Sequence, residues 1–184
     1  MPFKYPLLEN AFSVQDINSA IKVVKSRRLT MSKKTLEFEK KFSKFIKSKY
    51  CLMVNSGSSA NLLAFFALTN PLKKNKLKRG DECLIPALCW STSLWPLVQS
   101  GLKPIFLDAN PKTLNVDADY LISKVTKKTK VIMIVNVLGG SDNLEKISKF
   151  AKKENIILIE DNCEALGAKY NNCLLYTSPS PRDR

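Results

Sequence analysis

The sequence predicts an α/β protein built on a doubly wound, largely parallel sheet, and three observations carry that expectation. Short, wholly apolar runs rich in β-branched residues recur between residues 50 and 161. Each is separated from the next by a stretch with helical spacing. Polar residues gather where the runs end. Strands without polar alternation belong to sheets covered on both faces. Right-handed crossovers then arrange alternating strands and helices as a doubly wound layer structure. In such sheets ligands bind beyond the carboxyl ends of the strands.

The elements follow in order. Residues 11–27 place Val14, Ile17, Ala20, Ile21 and Val24 three and four apart, the spacing of an amphipathic helix. A polar break from Ser26 to Lys34 precedes a second helical pattern over 35–47, with Leu36, Phe42, Phe45 and Ile46 on one face and lysines on the other. At residue 50 the period changes. Residues 50–54 (YCLMV) form a short apolar run predicted as the first strand, broken by Asn55-Ser-Gly-Ser-Ser59. A buried helix is expected over Ala60–Leu68, then a strand at Cys83–Ile85 after the turn Gly80-Asp81. A helix over Thr92–Ser100, a strand at Ile105–Leu107 ending in Asp108, and a helix over Ala118–Val125 come next. Val131–Val135 is the fourth predicted strand. Asp142–Lys153 is an amphipathic helix with Leu144, Ile147 and Ala151 inward, and Ile156–Ile159 is the fifth strand, ending at Glu160-Asp161.

Composition narrows the function classes. The 184 residues are 45% hydrophobic, enough to build a core and too many for a disordered chain. No run of ~18 uncharged apolar residues appears, so no membrane span is expected. The first apolar segment is interrupted by Gln15, Asp16, Asn18 and Lys22, so no signal peptide is expected either. Histidine is absent, which excludes serine–histidine catalysis and histidine-ligated metal from this chain as given. The five cysteines lack CxxC spacing; they read as reduced, mostly buried thiols of a cytoplasmic protein, and no metal site is expected. The net charge of +14 is concentrated in residues 22–49, which hold 11 Lys/Arg against 2 Glu. That balance raises a nucleic-acid-binding module as a competing class. No helix-turn-helix, zinc-finger or RNP signature accompanies it. Lysines opposite a Phe/Leu face read as the solvated side of a core helix, so no nucleic-acid partner is expected.

The residues at the strand ends are the functional candidates: Asn55 to Ser59, Trp90-Ser-Thr92, Asp108, Asn136 and Asp161. The segment Asn55-Ser-Gly-Ser-Ser-Ala60 joins a strand to a helix, a geometry suited to phosphate. It is neither a P-loop nor a GxGxxG fingerprint, and it serves equally as an ordinary Ser N-cap. Trp90 could stack on a planar ligand or belong to a core or interface. Asp161 could hold a cationic ring nitrogen, cap a helix or bind a metal. Together, a phosphate-type loop, an aromatic and a carboxylate at successive strand ends are what a pyridoxal phosphate site requires.

The stretches VNSGSSANLLA, RGDECLIPALCWSTS, GLKPIFLDANPKTLNVD and IILIEDNCEALGAKY, with TLEFEKKFSKFIKSKY before them, resemble the DegT/DnrJ/StrS family of sugar-nucleotide aminotransferases. The likeness covers nearly all of residues 1–172. It implies an aspartate-aminotransferase-type fold, pyridoxal or pyridoxamine 5'-phosphate as cofactor, a nucleotide-linked 4-keto or 3-keto sugar as substrate, an amino-acid donor such as glutamate, and a cytoplasmic homodimer. By motif it puts Gly57, Ser58 and Ser59 at the phosphate, Trp90 on the ring and Asp161 at the pyridine nitrogen. Glu164 falls beside the cofactor's 3-hydroxyl, where the family usually has Gln or His, and Asn136 is a further cofactor contact at the end of the fourth strand. Arg27 and Arg28 are weak candidates for the substrate diphosphate.

The family's Schiff-base lysine follows the ED motif by some tens of residues, and none of the 25 lysines here matches its motif. The expected organisation is therefore a helical segment over 1–49 packing on the large domain, a partial cofactor-binding domain over 50–172, and a tail over 173–184 (CLLYTSPSPRDR) resembling translated sequencing adapter. The large domain would then stop before its last strands and the small domain, leaving the fragment without activity. Transamination is the first expectation for the parent. EDNCEALGA and WSTS also resemble a sister subgroup of sugar-nucleotide 3-dehydratases, which carry histidine in place of that lysine.

Overall fold

A computed structural model describes residues 11–30, 32–140, 143–170 and 173–174. Helix α1 (Val14–Lys25) starts at a capping box, in which Ser13 and Asp16 each satisfy the other's backbone N–H. Helix α2 (Lys33–Phe45) follows, then α3 (Gly57–Thr69), β1 (Glu82–Pro86), α4 (Ser91–Gln99) and β2 (Lys103–Leu107). The chain continues through α5 (Ala118–Ser123), β3 (Thr129–Val135), α6 (Leu144–Lys153) and β4 (Ile157–Asp161). A small antiparallel pair, β5 (Lys169–Tyr170) with β6 (Cys173–Leu174), closes the described chain. Residues 175–184, most of the expected non-native tail, lie outside the described residues.

The sheet is wholly parallel, in the order β2-β1-β3-β4. Its residues alternate between two cores. Leu84, Leu107, Ile132 and Ile134 face α5 and α6, where Leu121, Leu144, Ile147 and Ala151 meet them. Cys83, Ile85, Val131 and Met133 face α3 and α4, against Phe65 and Leu97. The sequence could not show this alternation because both faces are apolar. From β1 the chain runs outward to β2 through α4. It then returns across β1 to β3 and onward to β4 through α5 and α6. Because the direction of winding reverses while the hand of each crossover does not, α4 lies on one face and α5 and α6 on the other. The expected doubly wound layer structure is therefore present, and its switch point falls between β1 and β3.

Three expectations are corrected. Residues 50–54 form no strand. Tyr50, Leu52 and Met53 are exposed, and the Met53 N–H donates to the Glu39 side chain (2.8 Å) instead of to a ladder. A strand needs a neighbour, and the described residues pair none with this segment. The apolar face expected for the second helix is a core face only at its end, where Ile46 is buried. Leu36 and Phe45 are exposed, Phe38 and Phe42 stack on each other at 5.4 Å, and α2 buries no residue. Helix α1 likewise buries none. Of the face expected for the second helix, Phe42 is half-buried and Ile46, just past the end of α2, is buried, so the helical spacing is otherwise retained without burial. Nor are the thiols mostly buried: Cys83 is, Cys51 and Cys89 are half-buried, and Cys163 is exposed, all four of them free.

The last two residues of β4 turn polar on opposite faces. Asp161 follows Ile157 and Ile159 onto the α3/α4 side, while Glu160 follows Leu158 onto the α5/α6 side. Burial pushes the Glu160 carboxyl up to about 7, against a smaller opposing pull from the Asn162 amide.

Two outcomes test this account. Ile132 is fully buried in the central strand β3, so Ile132→Ala should cost about 2–5 kcal/mol in urea unfolding; a loss below about 1 kcal/mol would contradict its place in the core. Glu160 has its carboxyl raised in the folded state, so its contribution to stability is complete below pH 4.5 and is lost as the pH climbs to about 7. Glu160→Gln should flatten the stability profile across that window, as measured by unfolding midpoints at several pH values.

Candidate active site

The carboxyl ends of β1, β3 and β4 and the N-termini of α3 and α4 bring the candidate residues to one end of the sheet. Their meeting point is Asp161. Its Oδ2 accepts a hydrogen bond from Asn61 Nδ2 of α3 and another from Ser93 Oγ of α4, both at 2.9 Å. Its Oδ1 accepts the Cys163 N–H at 3.3 Å, an Asx-type turn that ends the strand. One carboxylate thus ties β4 to the N-terminal ends of two helices.

Those ends carry the other candidates. Ser56 is the N-cap of α3 and accepts the Ser59 N–H at 3.2 Å. The first intrahelical bond runs from Ala60 N–H to Ser56 O, so the N–H groups of Gly57 and Ser58 precede the ladder and point out of the helix end. Space above Gly57 is open: nothing lies within 4 Å of where a Cβ would stand. The Ser N-cap reading and the anion-site reading are therefore both met, by different atoms. Ser58 and Ser59 also border a cavity of about 190 Å³ between α3 and α4, with Thr92 and Trp95 opposite. Trp90 is the N-cap residue of α4 and is 74% exposed, so it is not a core tryptophan. Its carbonyl accepts the Ser93 N–H at 2.9 Å, which links its position to the serine that bonds Asp161.

Glu164 lies just beyond, and its Oε2 accepts the Leu138 N–H at 3.1 Å. Asn136 is buried at the end of β3; its backbone N–H donates to Asp161 O (3.2 Å) and its amide donates to Asn162 Oδ1 (2.5 Å). That pairing turns the Asn136 side chain toward the turn after β4. Asp108 ends β2 at the sheet edge farthest from β4 and stands apart from this cluster. Arg28 borders a groove between α1 and α2, together with Val23, Glu37 and Phe38.

Sequence reasoning missed Asn61 and Ser93. Asn61 had a signal, as the one amide in an otherwise apolar helix, Ala60 to Leu68. Ser93 had none, since a serine in the first turn of a helix is commonplace, and only the fold shows it fully buried against Asp161. The negative charge also reaches two thiols. Burial first, then the Asp161 carboxylate, raises the Cys89 thiol. Cys163 is raised by the same two causes in the same order.

The profile of the DegT/DnrJ/EryC1/StrS aminotransferase family matches residues 11–175. The GDP-4-keto-6-deoxy-D-mannose 3-dehydratase of Yersinia pseudotuberculosis is 42% identical over 167 residues, which cover 91% of this chain and 42% of that protein. The dTDP-3-amino-3,6-dideoxy-alpha-D-galactopyranose transaminase of Aneurinibacillus thermoaerophilus is 33% identical over 135 residues, 73% of this chain and 35% of that one. Among solved structures, the E. coli GDP-4-keto-6-deoxy-D-mannose-3-dehydratase with bound hydrated PLP superposes with a TM-score of 0.86 at 43% identity, covering 92% of this chain and 43% of that one. The chain thus spans less than half the length of these relatives. With a parallel sheet wound in both directions, a carboxylate at the end of β4 held from two helices, and a family match over most of its length, this chain belongs to the DegT/DnrJ/EryC1/StrS aminotransferase family.

Proposed function

We propose that the full-length protein binds pyridoxal or pyridoxamine 5'-phosphate at this end of the sheet and acts on a nucleotide-linked 4-keto-6-deoxy sugar, removing its 3-hydroxyl. The observation that carries the reading is the Asp161 carboxylate, held by Asn61 and Ser93 between the N-termini of α3 and α4.

The residues present fit the group. At the start of α3, the N–H groups of Gly57 and Ser58 and the hydroxyls of Ser58 and Ser59 would take the phosphate, where the helix dipole favours a negative charge. No Cβ at Gly57 narrows that approach. The exposed indole of Trp90 offers a flat face for the pyridine ring. Asp161 would hold a proton on the ring nitrogen, since an ion pair in a half-buried place favours both charged forms. Asn61 and Ser93 fix the carboxylate's orientation, and so the direction of that pair. The Glu164 carboxylate would accept from the cofactor's own 3-hydroxyl, on the pyridine ring. With its ring nitrogen protonated, the bound cofactor supplies an electron sink for bond breaking next to the sugar's ketone.

Transamination at the same site is the second reading, and it stood first in the sequence. Greater identity to 3-dehydratases than to a transaminase supports dehydration, as do EDNCEALGA and WSTS. An acid at position 164 departs from the family's usual residue in the same direction. Glutamate as amino donor, a cytoplasmic setting and a homodimer belong to the same proposal. The exposed apolar faces of α1 and α2 support an interface. No helix among the described residues is long and apolar enough to cross a membrane.

The test uses the full-length protein. An absorbance scan should show a cofactor band, and a well-folded protein with none would sink the proposal. Incubation with GDP-4-keto-6-deoxymannose and glutamate should give a 3-deoxy product without an amino group; an amino sugar would favour transamination. Asp161→Asn removes the charge opposite the ring nitrogen and should cost on the order of a hundredfold or more in turnover. Near-normal turnover of that variant would refute the assigned role.

A further inference from the structure

The segment Asp108 to Asp117, between β2 and α5, forms a loop folded on itself and joined to the turn after β3. The Asn110 side chain accepts the Lys112 N–H at 2.9 Å and donates to Asp117. The Asn110 backbone N–H donates to Asn115 O, also at 2.9 Å. Leu114 takes a left-handed backbone, φ 59°, just before Asn115. The Asn115 side chain then reaches a backbone far away in sequence. Its Oδ1 accepts the Val137 N–H at 3.1 Å, and its Nδ2 donates to Val137 O at 3.4 Å and to Thr113 O at 2.8 Å. An N–H opposite Oδ1 and two carbonyls opposite Nδ2 leave one orientation for the amide. A second strut runs alongside, from Asn143 Nδ2 to Val116 O at 3.2 Å.

The part so held is Val137 to Gly140, the short turn leaving the carboxyl end of β3. Leu138 also has a left-handed backbone, φ 52°, strained for a leucine, and its N–H donates to Glu164 Oε2. Strain of this kind persists only where neighbours enforce it, and here the neighbour is Asn115 on the preceding residue. Space is tight on the far side as well. A Cβ at Gly140 would stand 2.4 Å from Asn115 Nδ2 and 3.2 Å from Val137 O.

We infer that Asn115 is a positioning residue for the candidate site: by clamping Val137 it presents the Leu138 N–H to Glu164, and so fixes the carboxylate set beside the cofactor. The inference rests on the cofactor reading above. Asn115 itself touches neither Asp161 nor Trp90; it acts through a turn.

Variants of the full-length protein test it. Asn115→Ala removes the clamp, and Asn115→Asp sets an acceptor against the Val137 and Thr113 carbonyls. Each should speed hydrogen exchange at the Leu138 amide by about tenfold or more. Each should also shift the absorbance band of bound pyridoxal phosphate in the direction that Glu164→Ala shifts it, and combination with Glu164→Ala should add nothing further. Gly140→Ala, which leaves residue 115 unaltered but drives its amide off Val137, should give the same shift and keeps the test open if Asn115 variants do not fold. A merely structural residue would lower the melting temperature without moving the band. An unchanged band in folded, cofactor-loaded Asn115→Asp or Gly140→Ala protein overturns the inference and leaves the cofactor reading standing. A folded wild type that takes up no pyridoxal phosphate removes both.

Discussion

Asp161 leaves β4 on the side of the sheet covered by α3 and α4, and there a single oxygen accepts from Asn61 and Ser93. A half-buried carboxylate is costly unless its lone pairs are engaged, and two donors on different helices engage them. The converse holds for the helices: their N-terminal ends are aligned on the strand end by the group they satisfy. The open N-terminus of α3 and the exposed ring of Trp90 take their places from that junction. Polar bonding inside an otherwise apolar layer is what turns a generic sheet end into a site.

The reversal of winding between β1 and β3 supplies the room. Helices α3 and α4 lie on one face, α5 and α6 on the other, so among the described residues no helix fills the space above the carboxyl ends of the two central strands. Turns after β3 and β4 fill its border, and they are joined by short bonds. Asn136 meets Asn162, Leu138 meets Glu164, and Asn115 grips Val137 from the loop after β2. Three loops distant in sequence thereby form one rim around the site.

Away from that rim, the chain shows what local pattern can and cannot accomplish alone. Helix α1 forms from a capping box and spacing, and α2 from spacing with a Lys34–Glu37 pair in its first turn, all of which act within a few residues. Their apolar faces remain exposed because burial requires a second surface. Residues 50–54 have strand composition but no partner, and a strand without a ladder is only extended chain. Most lysines of 22–49 lie on these same helices, where they are solvated.

The sequence by itself determined the alternation of helices and strands from residue 57 onward, the parallel sheet, the place of Gly57 at the start of a helix, and those of Trp90 and Asp161 after strands. Those features are written in short continuous apolar runs, in the helical period of 3.6 between them, and in the polar residues that interrupt them. The family resemblance rests on the same short motifs. Tertiary structure alone decided the partners: Asn61 and Ser93 on Asp161, Asn162 on Asn136, and Asn115 on Val137. Each of these contacts joins residues at least 22 positions apart. No local period encodes such pairs. They exist because strand order and crossover hand bring separate loops to one end of the sheet, where a buried polar atom must find whatever partner the fold has placed there.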